Sequence, residues 1–220
     1  MAPSLSFQPV AQAIYWSDHC SGTNKGIGAY AAGVANYITL WHVAHILLTI
    51  APILWIFGFI TLHRMLAQKG EKIFSLTALI VLSIATILQI LSAMEGGFVI
   101  PLLGERYSYL AFDQSLQGAV AIVLTYSRDL TLTLSALAIL LEVSGTVFFG
   151  ISLLKSRLYS KWLAWLDIAV GLLGIAGYVT GVFGPYWISS PLFLPLSAIS
   201  SIWIIWLGIA IFGDVANLAA

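Results

Sequence analysis

The sequence predicts an all-α fold, a polytopic membrane helix bundle with five transmembrane spans, and three observations support this. Hydrophobic residues fill 60% of the 220 positions and charged residues only 8%, against roughly 25% charged in an average soluble domain. The apolar residues form five runs, each close to the ~20 residues that a helix needs to cross a hydrocarbon core of about 30 Å. Lysines and arginines gather in two of the connecting loops. A soluble globular domain is excluded, because so few charges cannot cover its surface.

The five runs are uninterrupted except for one or two polar residues, and each is too long for a strand. Spans are predicted at residues 38–62, 73–94, 132–154, 162–183 and 193–212. Residues 37–213 then form a single transmembrane bundle. Residues 1–36 form an extracytoplasmic N-terminal segment that contains an interfacial helix. The single cysteine, Cys20, excludes a disulfide scaffold.

The orientation follows from the basic residues, which mark cytoplasmic loops. Six of the nine lysines and arginines lie in the loops after the first and third spans: Arg64, Lys69, Lys72, Lys155, Arg157 and Lys161. Five spans place both loops on one side of the membrane. The sequence therefore predicts an outside N-terminus, an inside C-terminus and a location in the plasma membrane.

Residues 107–126 combine a polar first half with an apolar second half. They fit a short sixth span, a re-entrant segment or an amphipathic helix at the interface. A sixth span would put the two basic loops on opposite sides, so we expect residues 97–130 to form an extracytoplasmic cap, amphipathic or re-entrant.

Polar side chains of several spans fall at one level, in the outer half of the bilayer. A charged group at the centre of a membrane helix costs about 2.5–3.5 kcal/mol on insertion scales, so such groups are functional candidates. The predicted pocket is lined by His42, His45, Gln89, Glu95, Glu142, Tyr178, Ser197 and Ser201.

His42 and His45 are three positions apart and share one helix face. With the Glu142 carboxyl they match the ligand types of a zinc or iron site. The alternative is that each histidine bonds a neighbouring carbonyl or serine and serves only packing. Haem is less favoured than a metal ion, because bis-histidine ligation needs histidines on two facing helices, so the cofactor stays open.

Three further residue patterns have structural interpretations. The fourth span has a glycine face of Gly171, Gly174, Gly177 and Gly181. Gly177 and Gly181 form a small-xxx-small pair, which is expected to let another helix approach closely; the alternative is that the glycines leave room for a flat ligand. Asp167, near the start of that span, is expected to pair with Arg64 or Lys155 at the interface. No phosphate-binding glycine loop, zinc-protease motif or dinucleotide fingerprint occurs.

The segment SRLYSKWLAWL, residues 156–166, followed by a glycine-rich span, resembles an uncharacterised family of small bacterial multi-pass membrane proteins. The similarity covers roughly residues 140–212, and the family implies no activity. His42 and His45 lie outside that part.

The sequence therefore favours an integral membrane protein that binds a small ligand, lipid or cofactor in an outer polar pocket. A membrane-embedded enzyme with a His/Glu metal or acid–base site is one alternative, and a proton-coupled carrier is another. The expected partners are the lipid bilayer and a small molecule. A nucleic acid is not expected, because the net charge is zero. The oligomeric state and the identity of the ligand stay open.

Overall fold

The computed structural model describes residues 24–183, and all secondary structure within that range is helical. The elements are α1 (Asn24–Asn36), α2 (Ile38–Gln68), α3 (Ile73–Met94), a π-helical turn (Glu95–Val99), α4 (Ile100–Tyr109), α5 (Gln114–Ser156) and α6 (Lys161–Phe183). The predicted fifth span at 193–212, together with Ser197 and Ser201, lies outside the described residues.

Within the described range, four helices are long and apolar enough to cross a membrane: Ile38–Gln68, Ile73–Tyr109, Gln114–Ser156 and Lys161–Val179. The first three contain the predicted spans 38–62, 73–94 and 132–154 in full. The fourth contains the predicted span 162–183 except for its last four residues. Much of their apolar surface is exposed in the isolated chain, for example at Leu54 and Phe57, as expected of side chains that face lipid. Residues 24–183 are thus all-helical apart from turns and contain four candidate membrane-spanning helices, which suggests a membrane protein.

The second and third of these helices extend well beyond the predicted spans. Ile73–Tyr109 has 37 residues and Gln114–Ser156 has 43, so at a rise of about 1.5 Å per residue they measure about 55 and 65 Å. The segment 97–130, predicted as an extracytoplasmic cap that is amphipathic or re-entrant, is helical and continues both spans, with a turn at residues 110–113. Asp113 starts α5, because its Oδ1 accepts the backbone N–H groups of Ser115 and Leu116, each at 3.1 Å.

The turn between α2 and α3 is fixed by its local sequence, Lys69-Gly70-Glu71-Lys72. Gly70 has a φ of 86°, a left-handed conformation that favours glycine. The Glu71 N–H bonds to the Leu66 carbonyl and the Gly70 N–H to the Ala67 carbonyl, each at 3.1 Å, which is the Schellman pattern of helix termination. The Glu71 carboxylate then accepts the first free N–H groups of α3.

The chain divides into two compact units, and each has its own apolar core. The first unit comprises residues 24–50 and 90–134 of the described chain. Its core joins one face of α1 to α4 and to the first part of α5: Ile27, Ala31, Val34, Ile100, Ala121 and Leu124. Gly104 is part of this contact, because a side chain there would meet Ala31 at 3.6 Å.

The second unit comprises residues 51–89 and 135–183 of the described chain. Its core includes Phe59, Leu62, Leu66, Leu82, Phe149, Leu153 and Leu163, and the Phe59 and Phe149 rings stack at 5.5 Å. Helices α5 and α6 touch through glycines. A Cβ on Gly171 would lie 2.7 Å from the Val143 carbonyl oxygen, and one on Gly174 would lie 2.5 Å from a Val143 methyl carbon. The packing interpretation therefore holds at Gly171 and Gly174, and at Gly177 and Gly181 it stays a prediction.

Candidate functional site

The candidate site is built around the π-helical turn Glu95–Val99 of the first unit. In an α-helix the N–H of Ile100 would bond to the Gly96 carbonyl, but here it bonds to the Glu95 carbonyl, one residue further back. The next residue, Pro101, has no N–H to offer. The Gly96 carbonyl therefore lacks a backbone donor, and the indole Nε1 of Trp41 on α2 donates to it at 2.8 Å.

His45 lies one turn along α2 from Trp41 and stacks on its ring, with the centroids 4.8 Å apart. Its Nδ1 is 2.8 Å from the Trp41 carbonyl oxygen. A carbonyl oxygen only accepts, so Nδ1 carries the proton, and Nε2 of the neutral ring presents a lone pair. Nε2 lies 3.0 Å from the position that a Cβ on Gly96 would occupy. The imidazole thus packs directly onto the π-helical turn.

Only glycine fits at the two positions of the turn that face His45. A Cβ on Gly97 would lie 2.5 Å from the Cβ of His45, and real Cβ atoms essentially never come within 3.0 Å. Both glycines are buried. The Gly96-Gly97 pair therefore allows α2 to approach the turn closely enough for the Trp41 and His45 contacts to form.

His42, the residue after Trp41 on α2, contacts the same π-helical turn. Its ring stacks on Phe98, with centroids 5.8 Å apart and planes inclined by 18°. Glu95 opens the turn and is half-buried, as is His42. Within residues 24–183, neither the Glu95 carboxylate nor the His42 imidazole has a hydrogen bond or an ion pair. The turn thus presents an acid and an imidazole with free bonding capacity.

Helix α5 brings a third unsatisfied group to the turn. The Ser92 hydroxyl donates to the Thr131 carbonyl at 3.0 Å, which ties α5 to the end of α3. The Thr131 methyl carbon lies 3.2 Å from the Cβ position of Gly96. The Thr131 hydroxyl oxygen is buried and has no hydrogen-bond partner among the described residues, although such a group costs about 1–3 kcal/mol when left unpaired.

Helix α1 covers Trp41 on another side. The Tyr30 ring meets the Trp41 indole edge-on, at 6.3 Å between centroids. Burial raises the pKa of Tyr30 to about 12, although the positive charge of Arg128 opposes the shift. Tyr30 therefore stays neutral across the physiological range and adds an aromatic wall rather than a charge.

The structure places the predicted site residues in two groups. His42, His45 and Glu95 belong to the first unit, and both histidines contact the turn that Glu95 begins. Gln89, Glu142 and Tyr178 belong to the second unit. Within the described range, no three His, Cys, Asp or Glu side chains are grouped so that they could hold a metal ion. The metal interpretation of His42, His45 and Glu142 stays a prediction.

The second unit contains a separate buried polar cluster at the turn between α2 and α3. Glu71 accepts hydrogen bonds from the Ser152 hydroxyl on α5 and from the N–H groups of Phe74 and Ser75. Nδ1 of His63 lies 2.9 Å from the Ser75 hydroxyl oxygen. Burial alone would raise the pKa of the Glu71 carboxyl, but these hydrogen bonds outweigh burial and lower it.

The pairing predicted for Asp167 is wrong. Asp167 is 1% exposed, its Oδ2 has no hydrogen-bond partner, and the ion pair found in residues 24–183 joins Arg128 to Asp129. Lys155 instead places its Nζ 4.0 Å above the Phe74 ring. The core of the second unit includes Leu163 and Ala164, one turn before Asp167, so its carboxyl lies on the inward face of α6, away from the interfacial bases.

Sequence reasoning missed four residues that shape the turn: Trp41, Gly97, Phe98 and Pro101. Trp41 looks like an interfacial tryptophan when it is read alone. The only local signal is the pair Gly96-Gly97 four residues before a proline, which indicates an irregular helix but does not identify its partner.

A cavity of about 370 Å³ lies at the turn between α4 and α5, and the sequence did not predict it either. It is lined by Tyr107, Gln114, Gln117, Gly118 and Ala121.

No protein-family model, curated protein or solved structure matches the chain. The site is therefore interpreted from its own geometry.

Replacing Trp41 by phenylalanine tests the role of the indole in the turn. The Gly96 carbonyl would lose its donor, so we expect the free energy of unfolding to fall by about 1–3 kcal/mol. Unfolding of the purified protein in detergent, followed by circular dichroism, measures the change. Trp162→Phe is the matched control, because Trp162 is 84% exposed. An equal loss in both variants would mean that the bond to Gly96 contributes nothing specific.

Proposed function

We propose that the protein is an integral membrane protein that binds a small ligand, lipid or cofactor at the π-helical turn of the first unit. The observation that carries the proposal is the set of polar groups without partners at this turn: the His42 imidazole, the Glu95 carboxylate and the buried Thr131 hydroxyl. Polar groups inside a bilayer are expensive unless they are bonded. A ligand that bonds to them would repay that cost.

The backbone supports the same interpretation. Single π-helical turns are frequent at functional sites, because they displace side chains from the regular helical positions. Here Phe98 of the turn stacks on His42, and Glu95 begins the same turn. The ligand class that fits this chemistry has an apolar or aromatic part, for the His42–Phe98 stack. It also has a hydrogen-bonding group for the carboxylate and the imidazole.

The topology proposed with this function has five spans across the plasma membrane, with the N-terminus on the extracytoplasmic side and the C-terminus on the cytoplasmic side. In the second unit the loop at 69–72 lies beside the loop at 157–160, because Ser152 bonds to Glu71 and Lys155 lies over Phe74. Adjacent basic loops favour one cytoplasmic side for both. The π-helical turn then lies towards the outer surface, and residues 97–130 form the proposed extracytoplasmic cap.

Reporter fusions test the topology. A cytoplasm-active reporter placed in the loop at 157–160 and another at the C-terminus should both be active, and one placed at residues 110–113 should be inactive. Activity at 110–113, or an external C-terminus, would contradict the proposed arrangement.

Native mass spectrometry of the protein purified in a mild detergent tests ligand binding. We expect a non-covalent adduct of reproducible mass on the wild type, reduced at least about tenfold in Glu95→Gln and His42→Ala, because each variant removes one polar contact. Glu105→Gln is the matched control, since Glu105 is an exposed carboxylate of α4 in the same unit. No adduct on the wild type, or equal adducts on all four proteins, would refute binding at the turn.

The same preparation separates the alternative functions. Stoichiometric zinc or iron by metal analysis would favour the membrane-embedded enzyme with a His/Glu site, and a Soret band in the absorption spectrum would identify haem. Proton uptake coupled to solute movement in proteoliposomes, abolished by Glu142→Gln, would favour the proton-coupled carrier.

A further inference from the structure

The second unit carries six exposed basic side chains at one of its ends. They lie near the ends of α2 and α5, at the start of α6, in the α2–α3 turn and in the α5–α6 turn: Arg64, Lys69, Lys72, Lys155, Arg157 and Lys161. We call this set the basic collar. It holds six of the nine lysines and arginines of the chain.

Direct contacts bring the two halves of the collar together. The Ser152 hydroxyl lies one helical turn before the end of α5. It donates to the carboxylate of Glu71, in the turn that connects α2 to α3. The Nζ of Lys155 lies 4.0 Å above the ring of Phe74, at the start of α3. Leu66 of α2 and Leu163 of α6 belong to the same core. The basic side chains therefore share one surface and are not scattered along the chain.

No exposed carboxylate in this unit neutralises the collar. Its acidic residues in the described range are Glu71, Glu142 and Asp167. Glu71 and Asp167 are 8% and 1% exposed, and Glu142 is half-buried. None of the six basic residues forms an ion pair within residues 24–183. Among the described residues of this unit, the buried Glu71 carboxylate offsets one of the six charges at most, so the collar presents a net positive charge.

Apolar side chains flank the same surface. Trp162 is 84% exposed and Trp165 57%, next to Lys161, and Ile73 is 76% exposed, next to Lys72. Tryptophan favours the level of the lipid headgroups. A partner that satisfies both the charges and the adjacent apolar surface has an anionic head and a hydrocarbon body.

We propose that the basic collar binds the phosphate headgroups of anionic phospholipids. Juxtamembrane clusters of four to eight lysines and arginines attract such lipids, and the attraction weakens with salt. Lys155 is held in place by Phe74, and Arg157 has a φ of 51°, which fixes a left-handed turn between α5 and α6. The collar is therefore a partly ordered surface. The lipid preference is independent of the ligand site in the first unit.

Fluorescence quenching by brominated lipids in reconstituted bilayers tests the proposal. Brominated phosphatidylglycerol or brominated phosphatidylcholine replaces the unlabelled lipid stepwise, and tryptophan quenching gives the relative binding constant of the two headgroups. We expect the wild type to prefer phosphatidylglycerol about fivefold at low salt and much less in 1 M salt. The variant Lys69→Gln/Lys72→Gln/Arg157→Gln removes three of the six charges and should show a clearly lower ratio than the wild type at low salt. Lys155 is left unchanged because it packs on Phe74.

Two further arms make the outcome decisive. Arg106→Gln and Lys69→Gln each remove one exposed charge, but only Lys69→Gln should reduce the preference, since Arg106 lies in the first unit. Inorganic phosphate at 10 mM should leave the preference almost unchanged if the site binds lipid, and should abolish it if a free phosphate is the ligand. Equal ratios for wild type and triple variant, or abolition by phosphate, would overturn the proposal.

Discussion

Gly97→Ala is expected to lower the free energy of unfolding by about 3 kcal/mol, at the upper end of the cost of overpacking a buried contact. The added Cβ would lie 2.5 Å from the Cβ of His45 and 3.0 Å from its Cγ. A Cβ is fixed by its own backbone, so no rotamer of His45 relieves the clash. Helix α2 would have to move away from the π-helical turn, and the bond from Trp41 to Gly96 would weaken with it. Unfolding in detergent measures the loss.

Gly118→Ala is the matched control for this prediction. Gly118 also lies in the first unit, within a helix, and an added Cβ would meet nothing within 4 Å. Alanine favours a helix over glycine by about 1 kcal/mol, so this variant should be as stable as the wild type or slightly more so. If Gly97→Ala is also as stable as the wild type, the close contact between α2 and the turn does not exist in the purified protein.

The helices were predictable because the bilayer imposes a strong length rule. A run of about 20 apolar residues is a sufficient signal for a spanning helix, and the four predicted spans between residues 38 and 183 fall on four long helices. The turn at 69–72 also follows from local chemistry, since glycine favours the left-handed position that ends α2. These features depend on neighbours in the sequence, so composition and spacing reveal them.

The structure of residues 97–130 was harder to predict from the sequence. Hydropathy indicates which residues favour lipid, but it does not indicate where a helix ends. Polar residues such as Asp113 and Gln114 end the apolar signal, yet Asp113 starts α5 by accepting two backbone N–H groups. A helix that leaves the hydrocarbon core can continue in water when its polar face and caps permit. The loss of hydropathy therefore predicts that the apolar span ends, but it does not reveal that the helix continues beyond it.

The candidate site was predictable only in its residue types. His42, His45 and Glu95 stand out because polar groups are rare within apolar runs. Their partners could not be inferred, since the turn depends on a tertiary bond from Trp41 to a carbonyl that lacks a donor before Pro101. Contacts between residues 55 positions apart leave no periodic trace in a single sequence.

Glu71→Ala is the second variant with a large expected effect, a loss of about 2–4 kcal/mol in the free energy of unfolding. The Glu71 carboxylate accepts the Ser152 hydroxyl and caps the N-terminus of α3 through Phe74 and Ser75. Loss of a cap costs about 0.5–2 kcal/mol, and a buried donor left without an acceptor adds about 1–3 kcal/mol. Ser75 and Ser152 are fully buried, so water cannot readily replace the carboxylate.

The pH dependence of unfolding separates the charge of Glu71 from its shape. Its pKa is lower in the folded protein than in the unfolded chain, where a glutamate titrates near 4.3. The stabilisation is therefore fully present above that value and is lost as the pH falls through the lower folded pKa. The difference in unfolding free energy between wild type and Glu71→Gln should be constant above about pH 6 and shrink below pH 4.

The exposed carboxylate of Glu105 supplies the control: Glu105→Gln should leave the pH dependence of the wild-type unfolding free energy unchanged. A difference from Glu71→Gln that stays constant down to pH 3 would mean that the ionised carboxylate does not hold Ser152 and α3 together.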